Sequence, residues 1–596
     1  MMKSLPFFRK LFVSLGVIFV TFGLFRCANV LAPTGGPKDI TPPKVVKCIP
    51  ANHSTNFAGT KFSVTFDEYI KLDKIVQQLL VSPPMVDLPE FRIKRKTLII
   101  QFKDKLKPNT TYSVFFGDAI QDITEGNPLH NYTYVFSTGS SVDSMSLRGQ
   151  VVHAEDLKPA DSVFVMLYKN NNDTIPLDSL PLRVKPYYLS KTNKEGKFMF
   201  SGLADTSYLI FALKDENYSL TFDQPTEKIA FLDSLVKPQY RPIPKIDSAA
   251  LDTLTAHLPS DSAQMVADSL WHLADSIANS KLTLYKLFLF REPDSVQKLM
   301  KTKLIRPNTV QFIFNIPGKN ISIQTLNYHP KHIWHLSEWS SSRDTLLWFL
   351  HLPHPDTLNL IVFNGNDTLD SLSLRVIPRQ KIIRRKKRKG PAVKKKIYLS
   401  WKANISGTIK PGQKVILTFG QPVEKVLSDS ILLIQGKDSL YNPPFTFLDS
   451  LHRRLYFPMK IKDGTSYKLN LPDSCIIGWN HFFNNKIMLS LHSKALKEYS
   501  NLNVTLKPQK TDHYIFEILN NRGITIATRY FSGPTVLHFP RINPGKYLFR
   551  IIFDRNDNKK WDPGNYFRKQ LPEKVIYFKN MVQLRANWEI NEIWEF

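Results

Sequence analysis

At 596 residues, 42% hydrophobic and 12% aromatic, the chain is too long for one core and too apolar to be largely disordered; ordinary domain sizes divide it into roughly three to five folding units. A formal net charge of +29 raises nucleic acid as a partner. Eleven of the basic residues, however, stand in one acid-free run from Arg379 to Lys396. No zinc-finger spacing or RNP-type aromatic motif accompanies it, so no nucleic acid is expected.

The first segment in chain order reads as an export signal. Lys3, Arg9 and Lys10 precede an apolar run, Leu11 to Phe25, that is short for a bilayer-spanning helix and right for a signal-peptide core. Residues 1–26 are assigned to a signal peptide and 27–41 to a flexible Gly/Pro-rich tether after a lipidated Cys27. Leu24 fits a bacterial lipobox, whereas Phe25 and Arg26 depart from it; an uncleaved N-terminal anchor is the alternative. Cys27-Ala28, Pro33-Thr34-Gly35-Gly36-Pro37-Lys38-Asp39 and Pro42-Pro43 resemble the opening of a family of outer-membrane lipoproteins from Bacteroidetes-type bacteria. That resemblance implies acylation of Cys27 and an outer-membrane location. The residues after Cys27 lack an acidic cluster of the surface-export kind, which leaves the periplasmic or cell-surface face undetermined. Cys48 and Cys475 fall in different predicted units, so a disulfide is not favoured.

Residues 42–139 alternate with the strand period in "KFSVTFDEYI", "KTLIIQFKD", "TTYSVFFGDAI" and "YTYVFST". Phe66-Asp67-Glu68, the turn Leu106-x-Pro108-x-Thr110-x-Tyr112, Gly126-Asn127 and the closing Phe136 to Thr138 resemble the bacterial Ig-like domain of surface-layer proteins. A tyrosine inside a strand after such a turn pins a sandwich corner. Residues 140–235 ("SLRGQVVHA", "DSVFVMLYK", "GKFMFSGL", "SYLIFALKD") resemble the transthyretin-like, carboxypeptidase-regulatory sandwich, an accessory module without catalytic residues of its own.

Residues 236–282 are a linker carrying an amphipathic helix, with Val266, Leu270, Leu273 and Ile277 on one face expected to pack against a neighbouring unit. Residues 283–377 form a β-rich middle domain and 378–396 a basic linker that includes Arg384, Arg385, Lys386, Lys387, Arg388 and Lys389. This linker is either a solvated spacer or an electrostatic contact for anionic lipid or an acidic partner surface. The pattern then repeats. "GTKFSVTFDEYIKL" aligns with "GQKVILTFGQPVEK", "NTTYSVFFGDAI" with "GTSYKLNLPDSC", and "FSGLADTSYLIFALKDEN" with "FPRINPGKYLFRIIFDRN". Residues 397–495 are therefore a degenerate second Ig-like domain, with Gly420-Gln421 where the first has Asp67-Glu68, and 496–596 a second transthyretin-like sandwich. The fold class is mainly β: tandem β-sandwich domains, Ig-like and transthyretin-like, with a short helical insert.

The strongest chemical constellation is "FDRNDNKKWDPGNY". Asp554, Asn556, Asn558 and Asp562 occupy positions 1, 3, 5 and 9 of a calcium loop, where alternate oxygens surround a hard cation. Lys559 replaces the usual glycine and Asn565 the usual bidentate Glu, so a hydrogen-bonded Asx-turn cluster is the competing reading. The first copy keeps Asp215 and Asn217. His329, His332 and His335 lack zincin spacing; with Trp334 and Trp339 they suggest a partly exposed contact surface. No nucleophile elbow, His-Glu-x-x-His, P-loop or Rossmann fingerprint occurs, and Asp67 and Glu68, adjacent on a strand, face opposite sides. The sequence thus points to a non-catalytic, lipid-anchored envelope scaffold or interaction protein with an envelope protein partner and no cofactor beyond calcium. The alternatives are an accessory subunit of an outer-membrane assembly, secretion or transport machine and a calcium-dependent glycan-binding or adhesion module.

Overall fold

The computed structural model describes residues 39–130, 132–169, 176–242, 266, 269–270, 273–274, 276–377 and 398–596. Cys27 and the basic residues Arg384, Arg385, Lys386, Lys387, Arg388 and Lys389 lie outside them. Among the described residues no helix is long and apolar enough to cross a membrane.

Among the described residues five β units follow one another. In unit I the strand Lys61–Phe66 alternates exposed and buried side chains, as a half-buried strand must. It pairs with Val45–Ile49 and Thr97–Gln101, the latter with Glu90–Lys94. This sheet closes over a second one, Leu80–Ser82, Thr111–Phe115 and Thr133–Ser137. Phe62, Val64, Leu98, Val114, Tyr134 and Phe136 fill the space between. Tyr112 is buried, and its hydroxyl accepts the backbone N–H of Lys107 at 2.8 Å, so the corner tyrosine bonds the turn just upstream.

Unit IV repeats this order: Trp401–Ala403, Val415–Phe419, Arg454–Phe457 and Thr446–Phe447 in one sheet, with Leu432–Gln435, Ser466–Leu471 and Ile487–His492 opposite, the latter sheet extended by Asp438–Tyr441 and Gly407–Thr408 at its edges. Its Tyr467 hydroxyl accepts the N–H of Lys462 at 2.7 Å, the counterpart of Tyr112.

Units II and V share a different sandwich. Unit V sets Thr525–Ser532, His513–Asn520, Gly545–Phe553 and Val575–Tyr577 against Thr535–Ile542, Ser500–Lys507 and Glu589–Glu595, the last two parallel. Unit II sets Tyr188–Lys191, Phe164–Lys169, Tyr208–Lys214 and Lys228–Phe231 against Lys197–Leu203, Met145–His153 and Leu284–Arg291, again with the last two parallel. In unit II the two layers join in one continuous sheet through Lys228–Phe231 and Leu284–Arg291. Tyr208 and Tyr547 cap equivalent turns, donating to the carbonyls of Ala204 and Asn543 at 2.9 and 2.7 Å.

The strand Leu284–Arg291 pairs differently from its place in the sequence-based division, which puts it in the middle domain. It is the closing strand of unit II, and Leu287 and Leu289 sit in that core. Strand period fixes which face of a segment is buried and not which strand lies beside it. The helical segment is an insertion ahead of this closing strand. Its anchoring also differs from the expected apolar stripe: Leu273 and Ile277 are 57% and 53% exposed. Among the described residues its C-terminal end packs through buried Ala278 and Leu282, the Asn279 side chain bonded to Arg241, and the Leu282 carbonyl bonded to Arg148.

Unit III then comprises Leu299–Arg306, Thr309–Phe314, Thr345–Leu350 and His335–Trp339 facing Ile321–Thr325, Thr357–Asn364 and Asp367–Arg375. Phe312, Trp348, Leu350, Leu358 and Leu360 form its core. Cys48 and Cys475 are both free thiols.

Candidate functional site

The Asp554 loop joins Gly545–Phe553 to Val575–Tyr577. Asp554 and Glu573 are both 2% exposed, and buried carboxylates need donors. Asp554 accepts the N–H groups of Asn558 and Lys559 at 3.1 and 2.8 Å. Glu573 accepts those of Arg555 and Asp562 at 2.8 and 3.0 Å. Asn556 and Asn558 each donate a side-chain N–H to Asp562, at 2.6 and 2.7 Å. Their amide oxygens accept the N–H groups of Asn558 and Lys560. Burial raises the pKa of Glu573 above the ordinary glutamate value against the pull of its two amide donors, and the charges of Asp562 and Asp554 add to the rise. The four residues read as a calcium loop are thus brought together, in a ring closed by Asx-type hydrogen bonds. Among the described residues no group of three or more His, Cys, Asp and Glu side chains is arranged to hold a metal ion.

Unit II carries the same circuit. Asp215 accepts from Asn217 and Leu220, Asn217 donates to Asp223, and the buried Glu227 accepts from Glu216, Asp223 and Gln224. Asp223, Glu227 and Glu573 are missing from the sequence-based set. Their signal is the Glu-Lys-apolar opening of the following strand in both copies, "EKIAF" and "EKVIYF".

What the Asp554 loop carries is as important as how it closes. It delivers Tyr566 into unit II, where the ring is 6% exposed and meets Phe211, Phe222 and Phe231 edge-on, with centroids 5.8, 6.4 and 5.4 Å away. Such edge-to-face contacts are favoured by the ring quadrupoles. The Tyr566 N–H donates to the carboxylate of Glu292. At Gly564 a Cβ would lie 2.5 Å from the Phe290 ring, so the backbone must be bare there. Arg550, paired with Glu517, donates to the Glu155 carbonyl at 3.2 Å. The last unit is therefore joined to the second.

Units III and IV are joined as tightly. The Asn480 side chain accepts the Leu352 N–H at 2.8 Å and donates to the Leu350 carbonyl at 2.9 Å. Gln421, one of the two degenerate positions, donates to the Pro307 carbonyl at 2.9 Å. Glu338 pairs with Arg453 and Arg454. The Arg453 guanidinium lies 4.5 Å above the Phe349 ring and donates to the Phe419 carbonyl. Burial lowers its pKa, and Arg306 and Arg454 push the same way.

Trp334 and Trp339 are both half-buried against the core of unit III, each with its own ring partners. Trp334 packs edge-on against Tyr328 and Trp348, whereas Trp339 lies against Phe314 beneath the Arg343 guanidinium. His335 stacks on Trp348 with its Nδ1 buried and unbonded, while His351 meets Trp479 and His354 faces Asn308. The histidines are thus dispersed.

No curated protein matches the chain. Among solved structures, the S-layer protein rSbsC aligns over 92% of this chain and 68% of its own at 11% identity, with a TM-score of 0.13. BcpA, the major pilin subunit of Bacillus cereus, aligns over 76% of this chain and 99% of its own at 8% identity and a TM-score of 0.13. Domains A168–A170 of titin align over 49% and 98% at 9% identity, again with a TM-score of 0.13. Residues 39–138 match the family model of the bacterial Ig-like domain, so unit I is a bacterial Ig-like domain.

Proposed function

We propose that the chain is a non-catalytic scaffold of the bacterial cell envelope, tethered to the outer membrane through an acylated Cys27. The observation that carries this reading is the burial of Tyr566 in unit II. A string of sandwiches joined only end to end flexes at each linker, whereas one whose last unit packs into its second presents loops and sheet edges in fixed relation. Fixed loops on rigid sandwiches bind by buried surface and need no reacting group. The bacterial Ig-like match of unit I supports the same reading.

The partner is an envelope protein, and affinity purification of the tagged chain from native membranes identifies it. Metabolic labelling with a fatty acid marks the chain, and Cys27→Ser abolishes the label. Recovery of an unlabelled chain, alone and in the soluble fraction, contradicts the proposal.

A further inference from the structure

The junction of units III and IV contains a cleft of about 580 Å³ whose lining includes Arg306, Gln311, Glu338, Lys402, Thr418 and Arg454. Strand register sets out its walls. On the unit IV sheet Lys402 pairs with Thr418 and Thr418 with Arg454, so these three side chains share one face in a row. On the unit III sheet Glu338 pairs with Leu347 and Leu347 with Gln311, a second row. The Glu338–Arg454 ion pair bridges the two rows.

The charges do not balance. Arg306, Lys402, Arg453 and Arg454 face a single acid, Glu338. That acid is already engaged by Arg453 and Arg454. Among the described residues, Arg306 and Lys402 have no carboxylate partner. Arg453 is only 7% exposed, and cations gathered around a buried guanidinium repel one another more strongly than in open water. A bound anion relieves that repulsion.

The duplication shows which part of this charge is particular to the second copy. In unit I the equivalent row is Lys47, Thr65 and Thr97, with a threonine where unit IV has Arg454. The acidic Asp67 of unit I is replaced by Gly420. There a Cβ would lie 2.1 Å from the Ser400 hydroxyl and 3.2 Å from the Arg306 side chain, so the missing side chain is what lets Arg306 approach. Gly420 and Gln421 have thus lost the two acids of unit I, while the cation gained, Arg454, stands where unit I has Thr97.

We propose that this cleft binds a phosphate-type dianion, gripped by Arg306, Lys402 and Arg454 and bounded by the hydroxyl and amide groups of Thr418 and Gln311. Guanidinium forks match phosphate oxygens, and a lysine supplies a mobile point charge beside them. The walls are outward faces of paired strands, which suits recognition by side chains more than addition of a peptide strand.

The test is calorimetry on the full chain with inorganic phosphate, in parallel with glucose 6-phosphate and with vesicles containing phosphatidic acid. Arg306 and Lys402 are exposed, so Arg306→Gln/Lys402→Gln should keep the fold, as melting of the variant verifies. The expected result is saturable binding of phosphate that the double variant weakens at least about tenfold. A chain with Arg384, Arg385, Lys386, Lys387, Arg388 and Lys389 changed to Gln should bind as the parent does. Tighter binding of the sugar phosphate or of the vesicles identifies the source of the phosphate group. Binding that the double variant leaves unchanged, that the linker variant abolishes, or that is absent at about 10 mM phosphate, where even millimolar affinity would register, overturns the proposal.

Discussion

The ring of Tyr566, in the last unit, lies 5.4 Å from that of Phe231 in the second, at an interplanar angle of 79°. This contact turns a row of sandwiches into a chain that closes on itself. Replacing a buried aromatic ring with Ala costs about 3–5 kcal/mol. Tyr566→Ala is expected to lose about that much, measured by chemical denaturation, and to release unit V from unit II. Tyr566→Phe keeps the ring and should leave the contact intact.

Gly564 supports the same contact through the absence of a side chain. Gly564→Ala drives a methyl group against the Phe290 ring and the Gln570 carbonyl, 2.5 and 2.7 Å away. Overpacking of this kind costs typically 1–3 kcal/mol. The loss should appear as a lower melting temperature, with unit V still folded by circular dichroism.

At the other junction, Glu338→Gln removes the acid from a buried guanidinium. Leaving a buried charge unpaired costs about 3–5 kcal/mol, and Arg453 has its ring and carbonyl contacts to temper the loss. A destabilisation of about 2–3 kcal/mol is expected by denaturant titration. Arg453→Met/Glu338→Leu, which removes both charges, should recover much of it.

The Asp554 loop separates two chemistries in one experiment. Its carboxylates are already satisfied by backbone and side-chain donors, so Asp554→Ala leaves the N–H groups of Asn558 and Lys559 without their acceptor and should cost about 1–3 kcal/mol with or without chelator. A parent melting temperature that rises with calcium, and no longer does so in Asp554→Ala, would instead identify the ring as a calcium site.

Stability should also depend on pH in a predictable direction. Burial raises the carboxyl pKa of Glu227, Glu292 and Glu573 above the ordinary value of 4.5. A folded-state pKa above the unfolded one favours folding fully below about pH 4.5, and that contribution is lost as pH rises through the folded pKa. Asp122 runs the other way. Burial raises its pKa, but the N–H groups of Gly126, Asn127 and Glu125 outweigh this and hold it below 3.8. Its contribution is lost as pH falls below that value. The stability these three glutamates contribute should therefore decline above about pH 4.5, against the opposite slope from His153 and His335, whose pKa values burial lowers; comparing the parent with Glu292→Gln isolates the glutamate part, which the variant should flatten.

Much of the fold is legible in the residues themselves. Alternation in Lys61–Phe66 and the turn before Tyr112 specify a sandwich with a pinned corner, and matching segments reveal the duplication. Pairing between distant segments is not legible. Leu284–Arg291 has the pattern of a strand, yet only the folded chain shows that it closes unit II parallel to Met145–His153. The loop acids were half legible. Asp554, Asn556, Asn558 and Asp562 follow a fixed spacing, whereas Glu573 and Glu227 sit at the far ends of loops of different length. The cationic cleft was invisible, because Arg454, Lys402, Arg306 and Glu338 meet only where two units pack.

The closing of the chain is tested most directly by double electron–electron resonance between spin labels at Glu155→Cys and Lys574→Cys, with the native cysteines replaced by Ser. A single narrow distribution shorter than about 30 Å, roughly the diameter of one unit, is expected, and Tyr566→Ala should broaden and lengthen it. A broad, long distribution in the labelled parent, unchanged by Tyr566→Ala, would contradict the account.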